Sequence, residues 1–531
     1  MTYDYDWLVI GSGFGGSVSA LRLAEKGYRV AVLECGRRFD DADYARETKD
    51  TKNYYWVPQL GMRGVFRLTL FKDIWIGSGC GVGGGSLGYA NTLYRAFPDF
   101  YTNEQWKGLA DWETELAPHY DEAERMLGVT EYDADGPADL LLKEYGESIG
   151  VGDTYRRAHV GVFLGEPGKT VPDPYFGGEG PDRTGCIKCG SCMVGCRHGA
   201  KNTLRKNYLW FAEKLGVKIF SERAVTDIKP LDADGSAGYE VTHQKSGALG
   251  KRSTEKLRAR GVVVAAGALG TNRLLQRCKV SGSLPNISDR LGYVVRTNSE
   301  SILAVMAPKD YPADFTHSIA ITSSIYPDPR THIEVVTYGN AGDSQSLLFN
   351  LMVEAGKRGT RPFHFLATAA KNPKAALEAW KIKGTSRRVI ILLVMQSLDN
   401  SMRLKVKTRL PNGNVALTTE QDPNNPNPDF VPAAYDAAKW FARRMNGVAY
   451  SSITEGIFAV PSTAHILGGA VIGASAATGV VDSRNHVFGY ENLLVTDGAA
   501  VPANVGANPS LTITALAERA MTFIPPNAQA V

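Results

Sequence analysis

The chain has 531 residues, enough for two or more domains around sizeable cores. Its 59 basic and 55 acidic residues leave a net charge of +4, and no basic block carries interleaved aromatics, which argues against a dedicated nucleic-acid partner. No apolar run reaches the roughly 18 residues of a membrane span, and the N-terminus lacks a basic-then-apolar leader, so no transmembrane segment and a cytoplasmic location are expected.

Residues 7–16 read W-L-V-I-G-S-G-F-G-G, an apolar strand running into a glycine turn. Gly11 permits the tight turn, Gly13 lets backbone approach a pyrophosphate, and Gly16 lets the following helix pack closely; Phe14 and Gly15 lie inside the same turn. The next strand, 28–34, closes in Glu34, where an adenosine ribose needs an acceptor. The unit is expected to bind a dinucleotide. Glycine returns densely in 77–88, G-S-G-C-G-V-G-G-G-S-L-G, which has too little side chain to build core. This predicts backbone laid against a flat cofactor at Gly83, Gly84 and Gly85, with Ser86 and Asn91 as polar contacts; a flexible loop is the alternative.

Residues 103–149 carry an intermittent helical apolar face that predicts packing helices. Four of the seven cysteines then follow as Cys186, Cys189, Cys192 and Cys196, the C-x2-C-x2-C-x3-C spacing that bacterial ferredoxins use for [4Fe–4S] ligation. No proline follows Cys196, and no second run supplies a distant ligand. Three readings stand: an iron–sulfur cluster, a zinc or vestigial site, and reduced thiols near the cofactor.

Residues 236–266 alternate and then run continuously apolar into V-V-V-A-A-G-A-L-G-T, predicting a strand, a turn at Ala266 and Gly267, and a helix over 272–277. That places later chain beside the first unit, so the nucleotide domain is expected to be discontinuous. Segments 331–338, 388–395 and 402–408 read as strands of a second, sheet-based domain, the Asn- and Pro-rich 412–430 as a surface loop, and 432–446 as an amphipathic helix. Near the end, His465 sits among small residues before Gly-Gly, poorly suited to packing and suited to catalysis. A strand end at Asp497 leads to Asn508 before a helix, where its amide serves either as a cap or as a donor to a substrate oxygen.

The G-S-G-F-G-G turn with Glu34, G-V-G-G-G-S-L, A-A-G-A-L-G-T, His465-I-L-G-G, and Asp497-G through Asn508-P-S-L-T-I-T-A-L-A-E-R together resemble the glucose–methanol–choline (GMC) family of FAD-dependent oxidoreductases, in particular its bacterial cholesterol oxidase branch. The resemblance implies an α/β fold with a discontinuous Rossmann-like FAD-binding domain and a second α+β substrate domain on a mostly antiparallel sheet. It implies FAD-domain segments 1–50, 70–130, 185–300 and 460–531, and substrate-domain segments 51–69, 131–184 and 301–459. By the same resemblance Gly11, Gly13, Gly16 and Glu34 contact pyrophosphate and ribose, Gly83–Ser86 and Asn91 pass by the flavin, and Asp497, Gly498 and Pro509 make the C-terminal contacts. The segment 200–208 also lies near the flavin in that branch.

The implied chemistry is removal of a hydride from a carbinol carbon to flavin N5, with His465 and Asn508 holding the substrate hydroxyl and His465 assisting proton loss. Steroid oxidases that also shift a double bond use a buried glutamate base. The candidate is Glu334 in T-H-I-E-V-V, which alternation places on the face opposite Ile333 and Val335, toward cavity or water, with His332 on its own face. A bulky apolar secondary alcohol such as a 3β-hydroxysteroid is the expected substrate, with 363–370 and 392–395 forming an apolar cavity wall. A dehydrogenase for another alcohol or a sugar, and a non-catalytic electron-transfer flavoprotein, are the alternatives. The electron acceptor is dioxygen or, if a cluster is bound, a protein or quinone partner; peripheral membrane contact for substrate uptake is a further expectation.

Overall fold

The computed structural model describes residues 2–247, 253–354, 356–409 and 414–528. Its first sheet has the strand order Lys218–Phe220, Val30–Leu33, Tyr5–Ile10, Thr254–Val264, Tyr239–Lys245, Arg223–Pro230, and Leu493–Val495 adds beside Thr254–Val264. The long strand shows why the sequence changes pattern midway. Its first half, T-E-K-L-R-A-R, pairs antiparallel with Tyr239–Lys245 and is largely exposed. The second half, G-V-V-V, lies between two parallel partners, Val262 opposite both Leu8 and Leu493, and is buried from both sides. This register is the physical form of the expected discontinuity, since three separate stretches of chain share one sheet.

Helix Phe14–Glu25 packs against the C-terminal helix Ser510–Thr522, which in turn meets Trp112–Leu127. The helical region expected at 103–149 is two helices, Trp112–Leu127 and Pro137–Ser148, because Gly128 takes φ +59° and ends the first.

The second large sheet is antiparallel throughout, in the order Phe349–Leu351, Val448–Ser452, Ser301–Met306, Val389–Gln396, Thr331–Val336, Ile321–Asp328, Arg156–Arg157. One face, with Ile333, Val335, Leu392 and Val394, packs on helix Pro432–Arg444 through Ala434, Ala437, Ala438 and Phe441. The other face, with Val336, Ile391, Leu393 and Met395, belongs to a separate apolar cluster turned toward the nucleotide-binding side.

Two expectations are corrected here. The strand Met402–Arg409 does not join this sheet; with Val415–Gln421 it forms a hairpin whose inner edge pairs with Val295–Arg296, next to Leu467–Gly468. Its Leu404 carbonyl takes a bond from Gln276 in helix Gly267–Ser281, which anchors it to the nucleotide side. The stretch 412–430, expected as loop, accordingly begins as a strand at Val415 because its V-A-L-T-T-E-Q pairs with residues 402–409; positions 412–413 lie outside the described residues.

Candidate active site

The glycine turn is held by backbone contact. A Cβ on Gly11, which has φ +101°, would fall 2.2 Å from the Ala265 carbonyl oxygen, and one on Gly15 would fall 2.1 Å from that of Thr496. Gly16 abuts Gly11 in the same way, whereas Gly13 meets nothing nearer than 3.9 Å and faces open space. Glu34 is buried, and its carboxylate accepts from the Ser12 amide (3.0 Å), the Ser12 hydroxyl (2.7 Å) and the Gly36 amide (2.7 Å). A carboxylate has about four lone-pair directions, so one remains for a ribose hydroxyl.

From this turn a cavity of about 370 Å³ runs past Gly13, Phe14, Gly15, Gly85, Gly267, Asp497, Gly498 and Pro509 to His465 and Asn508. Asp497 accepts from the Thr271 hydroxyl (2.5 Å) and the Ala499 amide (2.8 Å), and burial raises its carboxyl to about 6. Several predicted contacts stand behind the wall. Gly83 and Gly84 shape the turn against Gly13, and the Ser86 hydroxyl donates to the Gly83 carbonyl (2.7 Å) and accepts from the Leu204 amide (3.1 Å). The Ala266 amide bonds to the Thr271 hydroxyl, while its neighbours Ala265, Gly267 and Ala268 line the cavity. Asn91 is buried at φ +74° beside the Cys192 thiol, its side-chain oxygen unpartnered, and its neighbours Ala90 and Thr92 reach the cavity instead.

At the far end, Glu300 comes within hydrogen-bonding contact of His465 Nδ1 and accepts from the Ala464 amide (2.7 Å) through its other oxygen. Glu300 is buried, as is Glu334, whose carboxylate accepts from Asn508 Nδ2 at 3.3 Å. The Asn508 amide thus serves Glu334 and not a helix cap, since the C-terminal helix begins after Pro509 with no side-chain cap. Asn508 Oδ1 and Glu334 Oε1 are buried without a partner among the described residues, as expected where a polar ligand group binds. Burial pushes the Glu334 carboxyl up to about 8, and the Asn508 bond partly opposes this. His332 Nε2 lies 4.0 Å from Glu334, but its ring is stacked on Tyr326 (4.7 Å) and met edge-on by Tyr94 (5.0 Å). Burial lowers its pKa to about 3, so it is a neutral wall.

Around His465 and Asn508 the cavity is lined by Ile302, Ile321, Val336, Phe349, Ile391 and Leu393, with Gln345, Ser452 and Thr463 as polar members. The segment 363–370 does not line it. It belongs to the surface helix Arg361–Lys371, with Phe363 71% exposed, because its apolar face turns outward from a thin layer over Phe349–Leu351.

The four cysteines line one void of about 20 Å³ with His198 and Lys201. No three of their sulfurs lie within 4.8 Å of one another. Without a metal, burial raises Cys186 to about 12 and Cys192 to about 11. Lys201 is buried and donates to the carbonyls of Leu87 (3.1 Å), Tyr89 (2.7 Å) and Cys192 (2.9 Å), fastening the cysteine loop to the glycine segment.

Sequence reasoning missed Glu300, Ser12, Thr271 and Lys201. A lone acid at the head of the apolar strand Ser301–Met306 was the available signal for Glu300. The glycine cradle, the free direction on Glu34 and the buried unpartnered oxygen of Asn508 together fit FAD and a hydroxylated ligand.

Comparison with known proteins agrees. Models described as GMC oxidoreductase match residues 180–292 and 412–517, and one described as an NAD(P)-binding Rossmann-like domain matches 9–40. A cholesterol oxidase of Acinetobacter baumannii is 48% identical over 98% of this chain and 95% of its own. One of Mycobacterium tuberculosis (strain H37Rv) is 45% identical over 99% and 92%. The solved pyridoxine 4-oxidase from Mesorbium loti shares the fold, with a TM-score of 0.62 at 14% identity over 98% of this chain and 99% of that one. The chain belongs to the GMC oxidoreductase family, FAD-dependent enzymes acting on CH–OH donors.

Proposed function

We propose that this enzyme oxidises a 3β-hydroxysteroid such as cholesterol to the ketone. The observation that carries the reading is the placement of His465 and Asn508 in a cavity lined mostly by apolar side chains. A sugar needs hydrogen-bond partners around its ring, whereas a steroid carries one hydroxyl on a large apolar body. The relatives named cholesterol oxidase support the same class. FAD, when bound, supplies the hydride acceptor at N5. With Nδ1 of His465 turned to Glu300, Nε2 is the atom left to take the hydroxyl proton, while Asn508 holds the hydroxyl oxygen. Glu334, behind Asn508, is the base for double-bond migration in the product. The test is anaerobic bleaching of the flavin band: a 3β-hydroxysteroid bleaches it while glucose and choline do not, and failure of every alcohol would overturn the reading.

A second reading concerns the exit of electrons. All four cysteines line one void, and their C-x2-C-x2-C-x3-C spacing supports an iron–sulfur cluster. A cluster points to a protein or quinone acceptor in place of dioxygen. Iron and acid-labile sulfide in stoichiometry with flavin support it; their absence from protein purified without oxygen leaves dioxygen.

Surface chemistry supports peripheral membrane contact for substrate uptake. The helices Arg361–Lys371 and Pro373–Glu378 expose Phe363, Leu366, Leu377 and, just beyond, Trp380, ringed by exposed Lys371, Lys374 and Lys383. No described helix is long and apolar enough to cross a membrane. Cosedimentation with cholesterol-containing anionic vesicles tests this, and loss of binding in Phe363→Ser with Trp380→Ser is the expected outcome. An odd count of seven cysteines, four of them within eleven residues, is not the pattern of a disulfide scaffold and supports a reducing, cytoplasmic setting.

A further inference from the structure

Away from the alcohol end, two thiols meet at the nucleotide end. Cys35 follows Glu34 at the close of strand Val30–Leu33, and Cys80 opens the glycine segment after strand Trp75–Gly79. Their sulfurs are 3.7 Å apart. The two backbones abut, since a Cβ on Gly36 would fall 2.3 Å from the Gly81 nitrogen and 3.0 Å from the Cys80 carbonyl carbon. Arg67 Nη2 donates to both sulfurs, at 3.2 Å to Cys80 and 3.6 Å to Cys35. The Glu34 carboxylate beside them already accepts three bonds, from Ser12 and Gly36.

We infer that Cys35 and Cys80 are a redox dithiol, oxidised by hydrogen peroxide to a disulfide that ties the ribose-side strand to the glycine segment. The pair differs in the way such a reaction needs. Cys35 is partly exposed, and its pKa is lowered by the hydrogen bond from Cys80 and by Arg67, against burial and the charge of Glu34. Cys80 is buried, and burial holds its thiol well above the ordinary value. Cys278 is buried, which pushes its thiol up and makes it a poor nucleophile beside Cys35.

The Cys35 thiolate attacks one peroxide oxygen, the O–O bond breaks, and a proton completes the first water, leaving a sulfenic acid on Cys35. Cys80 sulfur then attacks Cys35 sulfur; the S–S bond forms, the S–O bond breaks, and the departing hydroxide takes the Cys80 proton as the second water. Two thiols lose two electrons and the peroxide is reduced to two waters. The inference is independent of which alcohol the enzyme oxidises and of the cysteine loop at 186–196.

The test treats the holoenzyme with hydrogen peroxide, unfolds it, counts thiols and maps the peptides. Two of seven thiols are expected to disappear, with the Cys35 peptide linked to the Cys80 peptide and both thiols restored by a reductant. Cys80→Ser should stop at a Cys35 sulfenic acid that dimedone labels. Arg67→Gln should slow the oxidation about tenfold at neutral pH. Absence of the linked peptide, oxidation of Cys186–Cys196 ahead of it, or a Cys80→Ser protein that takes no dimedone at Cys35 would overturn the inference.

Discussion

The nucleotide end and the alcohol end of the one cavity are built in opposite ways. At the nucleotide end, residues 11–16 and Glu34 belong to one strand–turn–helix–strand unit and act largely through backbone and one carboxylate. At the alcohol end, Glu300, Glu334, His465 and Asn508 come from four separated stretches and act through side chains. The first arrangement recognises a constant ligand by close approach. The second places a few groups at one point of a mostly apolar wall, where changing a side chain changes the reaction without dismantling the fold. Damage at one end should therefore remove cofactor, and damage at the other should remove rate.

The largest expected effect is Gly15→Val. Its side chain would meet the Thr496 carbonyl at less than van der Waals distance, forcing the glycine turn from the strand Leu493–Val495. The protein should purify without flavin, read as loss of the visible flavin band. The counterpart at the other end is His465→Ala, which should keep full flavin content while anaerobic reduction by substrate slows by about 10³-fold. Loss of flavin in this variant, or reduction at the parent rate, would break the division between the two ends.

That division also explains what the sequence made legible. The glycine turn, Glu34 and the 261–271 strand and turn are local patterns whose physics is written in consecutive residues. The side of Glu334 followed from strand alternation, because Ile333 and Val335 must enter one core and leave residues 332, 334 and 336 to the other face. Glu300 offered only a lone acid at a strand head, since its meaning lies in a contact with a histidine far along the chain. The helix at 361–371 was misplaced for the same reason, as its apolar residues look like core until the burial of each is known. The hairpin 402–421 carries ordinary strand alternation, and only its pairing with Val295–Arg296 decides which side of the molecule it serves.

A smaller effect separates two roles within the alcohol end. Glu334→Gln should abolish double-bond migration while leaving flavin reduction near the parent rate, because the amide keeps a partner for Asn508 but is no base. The carboxyl sits near pKa 8, above its ordinary value, so it is mostly protonated at neutral pH and becomes the base as pH rises through about 8. Isomerisation should climb with pH to a plateau above that value, followed by the absorbance of the conjugated ketone. Oxidation should lack this limb, and a shared limb would make Glu334 part of the oxidation step.

The smallest effect lies back at the nucleotide end. Ser12 donates its hydroxyl to Glu34 and accepts from the Gly83 amide (3.0 Å), so one side chain joins the ribose acceptor to the glycine segment. Ser12→Ala leaves the Gly83 amide unpartnered and Glu34 held by backbone alone, a cost of about 1 kcal/mol. None of this reaches His465 or Asn508. Flavin affinity, measured by titrating deflavinated protein with FAD, should fall roughly fivefold, the equivalent of that energy. The rate of reduction at saturating FAD should be unchanged, because a loosened ribose contact alters how often the cofactor is present and not the geometry at its reactive end.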